Sequence, residues 1–281
     1  MYSNIQMDFN QYLINENLAD STIANHMRNY EKLLNILGDD FYFELSDEDM
    51  VDSLRKQTLS LSQKLTISST LSKFLKFRQI PNDVVVEYIF EINNELKKEY
   101  KKRNKSSTYQ YTKKDLINEL NKFYTDNKPK HYIVSYLLIK FNVRNADLNL
   151  QIVRHKKFTN KENNFLVIRK NSIMFIRNKF KTKDSYGVKK NEIKNDKFYQ
   201  SVINFYNDNI GESIDENRLS LFNTFHNSTK LVKRYSVFNL KESDIVKIVL
   251  GEDNTLHKAS VISKNRGTSL DTLENSYNIR K

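Results

Sequence analysis

Cysteine is absent from all 281 residues. Disulfides, thiolate zinc sites and cysteine nucleophiles are therefore excluded. Glycine and proline are scarce, with 5 and 2 copies. So few turn-formers do not supply the many tight turns of a sandwich or barrel, and mostly helix is expected. No stretch of about 18 apolar residues is present, so no membrane span and no membrane partner are expected. The first residues show no basic region followed by an apolar run, so no secretory signal is expected and the protein reads as intracellular. His26, His131, His155, His226 and His257 stand at no metal-ligand spacing, and neither a metal nor another cofactor is expected.

What the chain does have is positive charge: 46 Lys and Arg against 34 Asp and Glu, a net +12. An excess of this size attracts polyanions and favours nucleic acid as partner. The alternative account of the same excess is a Lys- and Asn-rich composition inherited from an AT-rich genome. Hydrophobic residues make up 38%, with 17 Phe and 16 Tyr, enough for a packed core.

Residues 1–100 read as a bundle of four or five short helices. Ile5, Phe9, Tyr12 and Leu13 mark the first. A second starts with Asp20 or Ser21 as N-cap, carries Ile23, Met27, Tyr30, Leu33, Leu34 and Leu37 at three- and four-residue steps, and ends at Gly38. A third begins after Ser46, with Asp47, Glu48 and Asp49 in the first turn, where the helix dipole favours acids. A fourth carries Leu61 to Phe77 and stops before Pro81, and a fifth occupies 83–96. Residues 97–108 are basic and unsuited to a core. The domain division predicted here is 1–100, a basic linker at 101–110, and 111–281. Lys101, Lys102, Arg103 and Lys105 are the linker residues expected to meet DNA phosphates.

The second domain opens with a helix over 115–124. After Pro129 an apolar helix over 131–141 runs into Arg144-Asn145-Ala146-Asp147-Leu148. Residues 163–169 and 172–177 read as a β-hairpin, with a third strand near 188–193. Between them lie Lys179, Lys181 and Lys183, whose alternation puts all three on one strand face. A helix over 197–209 follows. Leu231 to Phe238 places Arg234 before an aromatic-Ser-apolar run. The last stretch holds Gly267-Thr268-Ser269 and, nine positions after Thr268, Tyr277.

The order Arg144, hairpin lysine, Arg234, Gly-Thr-Ser, Tyr277 resembles the tyrosine recombinase (phage integrase) family. Leu18, Ser21, Thr22 and Tyr30 resemble the outline of its N-terminal bundle. The resemblance implies a mainly α fold with a small β-hairpin or three-stranded sheet: a helical core-DNA-binding (SAM-like) domain, then an α+β catalytic domain. It implies a site-specific recombinase or integrase that cuts and rejoins double-stranded DNA through a 3′-phosphotyrosyl bond, as a homo-oligomer on paired sites. A viral or mobile-element setting goes with it. Tyr277 is then the nucleophile, Arg144 and Arg234 hold the phosphate, and Lys181 protonates the leaving oxygen, with Lys179 and Lys183 as alternatives to it. Arg218 and Arg266 are alternatives for the second arginine. Leu231 and Thr268 stand where the family carries His and His or Trp. Thr268 can donate one hydrogen bond to a phosphate but is no acid near neutrality, and His257 is a further substitute. Three other readings remain open: type IB topoisomerase-like relaxation, DNA binding with impaired catalysis, and, outside the family, a helical structural or interaction protein of inherited basic composition, which predicts no salt-dependent DNA affinity.

The chemistry explains the residue types. A free tyrosine titrates near 10, so its attack needs cations close by. Arginine forks match the two non-bridging phosphate oxygens where lysine is a point charge. Lysine, in turn, can deliver a proton to the oxygen that leaves.

Overall fold

The computed structural model describes residues 4–106, 110–180, 187–213, 215–225, 228–251, 256–270 and 273. Contacts divide the chain into two compact units, Met1–Arg103 and Asn104–Lys281. The described residues are mainly helical, with one small sheet.

Among the described residues six helices belong to the first unit, the last running three residues past its end: α1 Asn4–Asn15, α2 Asp20–Leu37, α3 Phe41–Glu44, α4 Asp47–Lys56, α5 Leu61–Phe77 and α6 Asp83–Ser106. Four or five were expected. The four-residue α3 is too short to show a period. Ser46 caps α4, accepting from the Asp49 N–H at 3.2 Å. Ser60 and Gln63 cap α5 reciprocally. Neither expected residue caps α2: Asp20 is its first helical residue, and Ala19 precedes it without a side-chain bond. Gly38 ends α2 in the left-handed region (φ +94°), its N–H returning to the Leu34 carbonyl. The core is aromatic. Phe74 sits with its ring centroid 5.3 Å from Phe9, 4.9 Å from Tyr30 and 5.4 Å from Phe41. α6 continues through the basic run to Ser106 instead of stopping near residue 96. Lys97 to Lys105 contains neither Gly nor Pro, and Lys, Glu and Arg are good helix formers.

The second unit begins with α7 Lys113–Thr125, capped by Thr112 and Asp115. α8 Pro129–Phe141 starts on a proline at its first position and buries Tyr132 through Ile139. Asn142 ends it in the left-handed region (φ +49°). α9 Asp196–Asn209, α10 Ser228–Tyr235, α11 Glu242–Gly251 and α12 Leu256–Arg266 are the other α-helices of this unit among the described residues.

The sheet has five strands, not three: β1 Leu150–Val153, β2 Asn164–Ile168, β3 Ile173–Arg177, β4 Lys189–Ile193 and β5 Leu219–Ser220, in the order β4-β3-β2-β1-β5. β2, β3 and β4 are the expected antiparallel set. β1 pairs parallel with β2, and β5 antiparallel with β1. A four-residue buried strand and a two-residue strand carry no alternation to read, which is why sequence patterning misses them. The pleat separates two apolar faces. Ile152, Leu166, Ile173 and Phe175 join the helices' core, while Val153, Phe165, Val167 and Ile176 form a smaller cluster with Phe158.

Candidate active site

The loop after α8 carries Arg144. Asn142 turns the chain there, its amide donating to the Leu138 carbonyl at 3.3 Å. Arg144 is extended, and its N–H donates to the Asp147 carboxylate at 3.2 Å. Its side chain reaches across 123 residues of sequence: Nη2 lies 3.5 Å from the Gly267 carbonyl. Its Nη1 is buried and has no hydrogen-bond partner among the described residues.

Three more cations gather at the same end of α12. Arg177 stands on the face of β3 that also carries Ile173 and Phe175, and it is 1% exposed. Its Nη1 donates to the Asn265 carbonyl at 2.7 Å and lies 3.5 Å from Asp147. Lys189 is the cross-strand neighbour of Arg177. Its ammonium donates to the Lys264 and Asn265 carbonyls and lies 5.0 Å from the Phe180 ring centroid. Arg266 is buried, donates to the Asn142 carbonyl at 3.0 Å, and pairs with Glu242 at 2.5 Å. The second Glu242 oxygen accepts from the Asn145 N–H. The carbonyl end of a helix attracts cations in any case. Here four of them, from four elements, face the two carboxylates Asp147 and Glu242.

Gly267 ends α12 in the left-handed region (φ +61°). The Thr268 N–H returns to the Ser263 carbonyl at 3.0 Å, the closing bond of a Schellman motif. The Ser263 hydroxyl donates to the Thr268 carbonyl. Leu273 is buried in the main core, its N–H donating to the Ser269 carbonyl at 3.1 Å.

Burial dominates the titration of this cluster. It raises the Asp147 carboxyl, against the pull of Arg177 and Arg144. It lowers Arg177, against Asp147. Lys189 falls to about 8 through burial, then through nearby Arg177, with Asp147 opposing and Arg144 and Lys264 adding to the fall.

Of the expected site residues, the structure brings Arg144, the alternative Arg266 and Thr268 together around the α12 end. Arg234 lies elsewhere, exposed at the end of α10 with its guanidinium over the Tyr235 ring. The α10 residue that meets the Arg144 loop is Thr229, whose hydroxyl is 3.5 Å from the Asn145 amide. Arg218 donates to the Phe158 carbonyl at 2.9 Å near β5. His257 is exposed on α12. Lys179 has an exposed side chain, and its backbone is clamped by Asn164. Lys101, Lys102, Arg103 and Lys105 lie in the last turns of α6, where Lys102 is exposed. Lys181, Lys183 and Tyr277 lie outside the described residues. No group of acids and histidines able to hold a metal occurs among the described residues.

Sequence reading missed Arg177, Lys189 and Glu242. A signal existed for the first. Extending the alternation Ile173, Phe175 by one step puts residue 177 on the buried face, and a charge there needs partners.

No family model matches the chain, and no curated protein matches it. Among solved structures, the crystal structure of a XerA recombinase aligns with 99% of this chain and 94% of its own, at 11% identity and a TM-score of 0.37.

Proposed function

We propose that this chain binds double-stranded DNA and breaks and rejoins its strands through Tyr277, in the manner of the tyrosine recombinases it resembles. The observation that supports this most is the gathering of Arg144, Arg177, Lys189 and Arg266 at the α12 end, just ahead of Tyr277 in sequence. In this reading Tyr277 gives its phenolic proton to water and attacks phosphorus as the phenolate, the P–O5′ bond breaks, and the 5′ oxygen leaves with a proton. Arg144 holds the phosphate. Arg177 and Arg266 position the Arg144 loop and the α12 end. Lys181 supplies the proton. Arg234 and the α6 lysines meet the DNA backbone. The domain division at residues 100–110 then separates a DNA-clamping bundle from the catalytic domain, and paired DNA sites bring two or more copies together.

A second reading has its own support. Arg177 and Arg266 are each matched by a carboxylate, and Arg234 stands away from Arg144. So few uncommitted guanidiniums favour a family member that binds DNA and cuts it slowly or not at all.

A covalent trap separates the two. The protein is incubated with supercoiled plasmid and a pool of genomic fragments, then run on a denaturing gel beside Tyr277→Phe and Arg144→Ala. Cleavage gives a protein–DNA adduct that vanishes in the first variant. It falls about 10²–10³-fold in the second, the usual effect of losing one preorganised donor. An adduct that survives in Tyr277→Phe refutes the nucleophile. No adduct, with affinity that falls steeply as salt rises, establishes the binding reading. Relaxation of plasmid by a monomer, without paired sites, indicates topoisomerase-like action instead.

A further inference from the structure

A cavity of about 470 Å3 opens beside β5, and Lys130, Gln151, Phe205, Arg218 and Asn223 are among the residues that line it. That volume falls within the range of roughly 300–1,000 Å3 seen for small-ligand sites. It lies at the other end of α8 from Arg144. Lys130 is the second residue of α8, and the helix rises roughly 16 Å from there to Phe141.

Lys130 is an unusual residue to find in this place. Its ammonium sits 4.7 Å from the Tyr235 ring centroid, 4.8 Å from Phe222 and 5.7 Å from Phe205. Among the described residues it meets rings only, with no carboxylate and no hydrogen-bond acceptor. Three things disfavour a cation here. The ammonium is half-buried, Arg234 is close by, and together, burial first, they lower its pKa. The third is the positive end of the α8 dipole. Ring faces offset part of this, at roughly 0.5–2 kcal/mol for a cation–π contact. A Leu or Met would fill the same ring pocket without the penalty. The lysine makes sense if an anion completes it.

The rest of the cavity fits that anion. The Arg218 Nε donates to the Phe158 carbonyl and lies 3.6 Å from Asp215. Its two terminal nitrogens make no hydrogen bond among the described residues. Gln151 lines the same space, and its side-chain NH2 makes no hydrogen bond among the described residues, so that donor is free for an anion; its Oε1, buried without a partner, is an acceptor and takes no part. Asp215, already paired with Arg218, is the one carboxylate among the described lining residues.

We propose that this cavity is a phosphate-binding site, with Lys130 and Arg218 as its charged partners, amides from Gln151 and Asn223, and Phe205 as an apolar wall. The phosphate belongs either to a free mononucleotide or to a DNA backbone. Nothing in this proposal depends on cleavage by Tyr277.

The test uses the full chain and needs no variant for its first arm. Lys130 is trace-labelled with an acetylating reagent and quantified by mass spectrometry, alone and with inorganic phosphate, dAMP or a 30-base-pair duplex. Titration calorimetry and fluorescence anisotropy then compare wild type with Lys130→Gln and Arg218→Gln. Protection by dAMP or phosphate, with binding weakened about tenfold in either variant, supports the site with a free nucleotide as ligand. Protection by duplex alone, with the salt slope of duplex binding smaller by about 0.9 in Lys130→Gln, supports it with backbone phosphate. Labelling of Lys130 at the same rate with every probe overturns the proposal. So does equal affinity of wild type and variants for all three probes.

Discussion

Replacing Arg177 by methionine tests the charge buried under the α12 end. Asp147 and Arg177 are each 1% exposed, with charged atoms 3.5 Å apart. Burial raises the one and lowers the other in spite of their mutual attraction. Desolvation thus exceeds the Coulomb gain on both sides, and the pair is not a net source of stability. Removing one partner has a different effect. Methionine keeps most of the arginine stem, but Asp147 is left with the Arg144 N–H as its one remaining bond among the described residues. The cost of the stranded carboxylate has a ceiling, because it can take up a proton. From an ordinary value of 3.8, protonation at pH 7 costs about 4 kcal/mol, at about 1.36 kcal/mol per pH unit. At pH 5 the same escape costs about 1.6 kcal/mol. The lost bond to the Asn265 carbonyl adds about 1 kcal/mol at either pH. Arg177→Met is therefore expected to lower unfolding stability by about 3–5 kcal/mol at pH 7 and by roughly half that at pH 5. Asp147→Asn combined with Arg177→Met keeps an acceptor for the Arg144 N–H and removes both charges. It is expected to recover most of the loss. Urea unfolding followed by circular dichroism at the two pH values reads both effects. A destabilisation equal at pH 5 and pH 7, or a double variant no more stable than Arg177→Met, refutes the reasoning.

Phe74 is fully buried amid five other aromatic rings. Phe74→Ala should cost the N-terminal unit about 3–5 kcal/mol in chemical denaturation, and a loss under 1 kcal/mol contradicts its place at the centre of that core. Thr112 and Asp115 cap α7 reciprocally, so Thr112→Ala should lower stability by about 1 kcal/mol, with little change in DNA affinity. Lys189 titrates near 8 in the folded chain and at its ordinary 10.5 when unfolded. Between those values the unfolded state holds the extra proton, so stability rises with pH. Wild type should gain on Lys189→Met as pH climbs from 7 to 10, and is penalised relative to it as pH falls through 8. A stability difference that stays flat across that range counts against the shift.

Much of the architecture follows from local chemistry. The α2 period, the Gly38 stop, the Ser46 cap, Pro129 at the head of α8 and the β2–β3 hairpin all arise within a few residues of chain. Periodicity and turn chemistry are local quantities, so a linear reading recovers them. Arg144 was legible for the same reason: an Arg-x-x-Asp step directly after an unbroken apolar helix is itself a local pattern. The extension of α6 through the basic run was legible too, had helix propensity been weighed against charge.

The company Arg144 keeps was not legible. Arg177, Lys189 and Arg266 reach its neighbourhood from β3, β4 and α12, and Glu242 from α11. Only sheet register and helix packing decide that they meet. Arg234 shows the converse, since a residue that fits by order along the chain is turned away by the path of α10. Lys130 and Arg218 are 88 positions apart, and nothing in their flanking residues links them. By itself the sequence determined a basic, mainly helical, two-part chain and where its elements start and stop, because those properties sum over neighbours. The tertiary structure alone decided which charges are buried, which are matched and which face a cavity. Desolvation and Coulomb energy depend on distance in space, and the order of residues along the chain does not carry that distance.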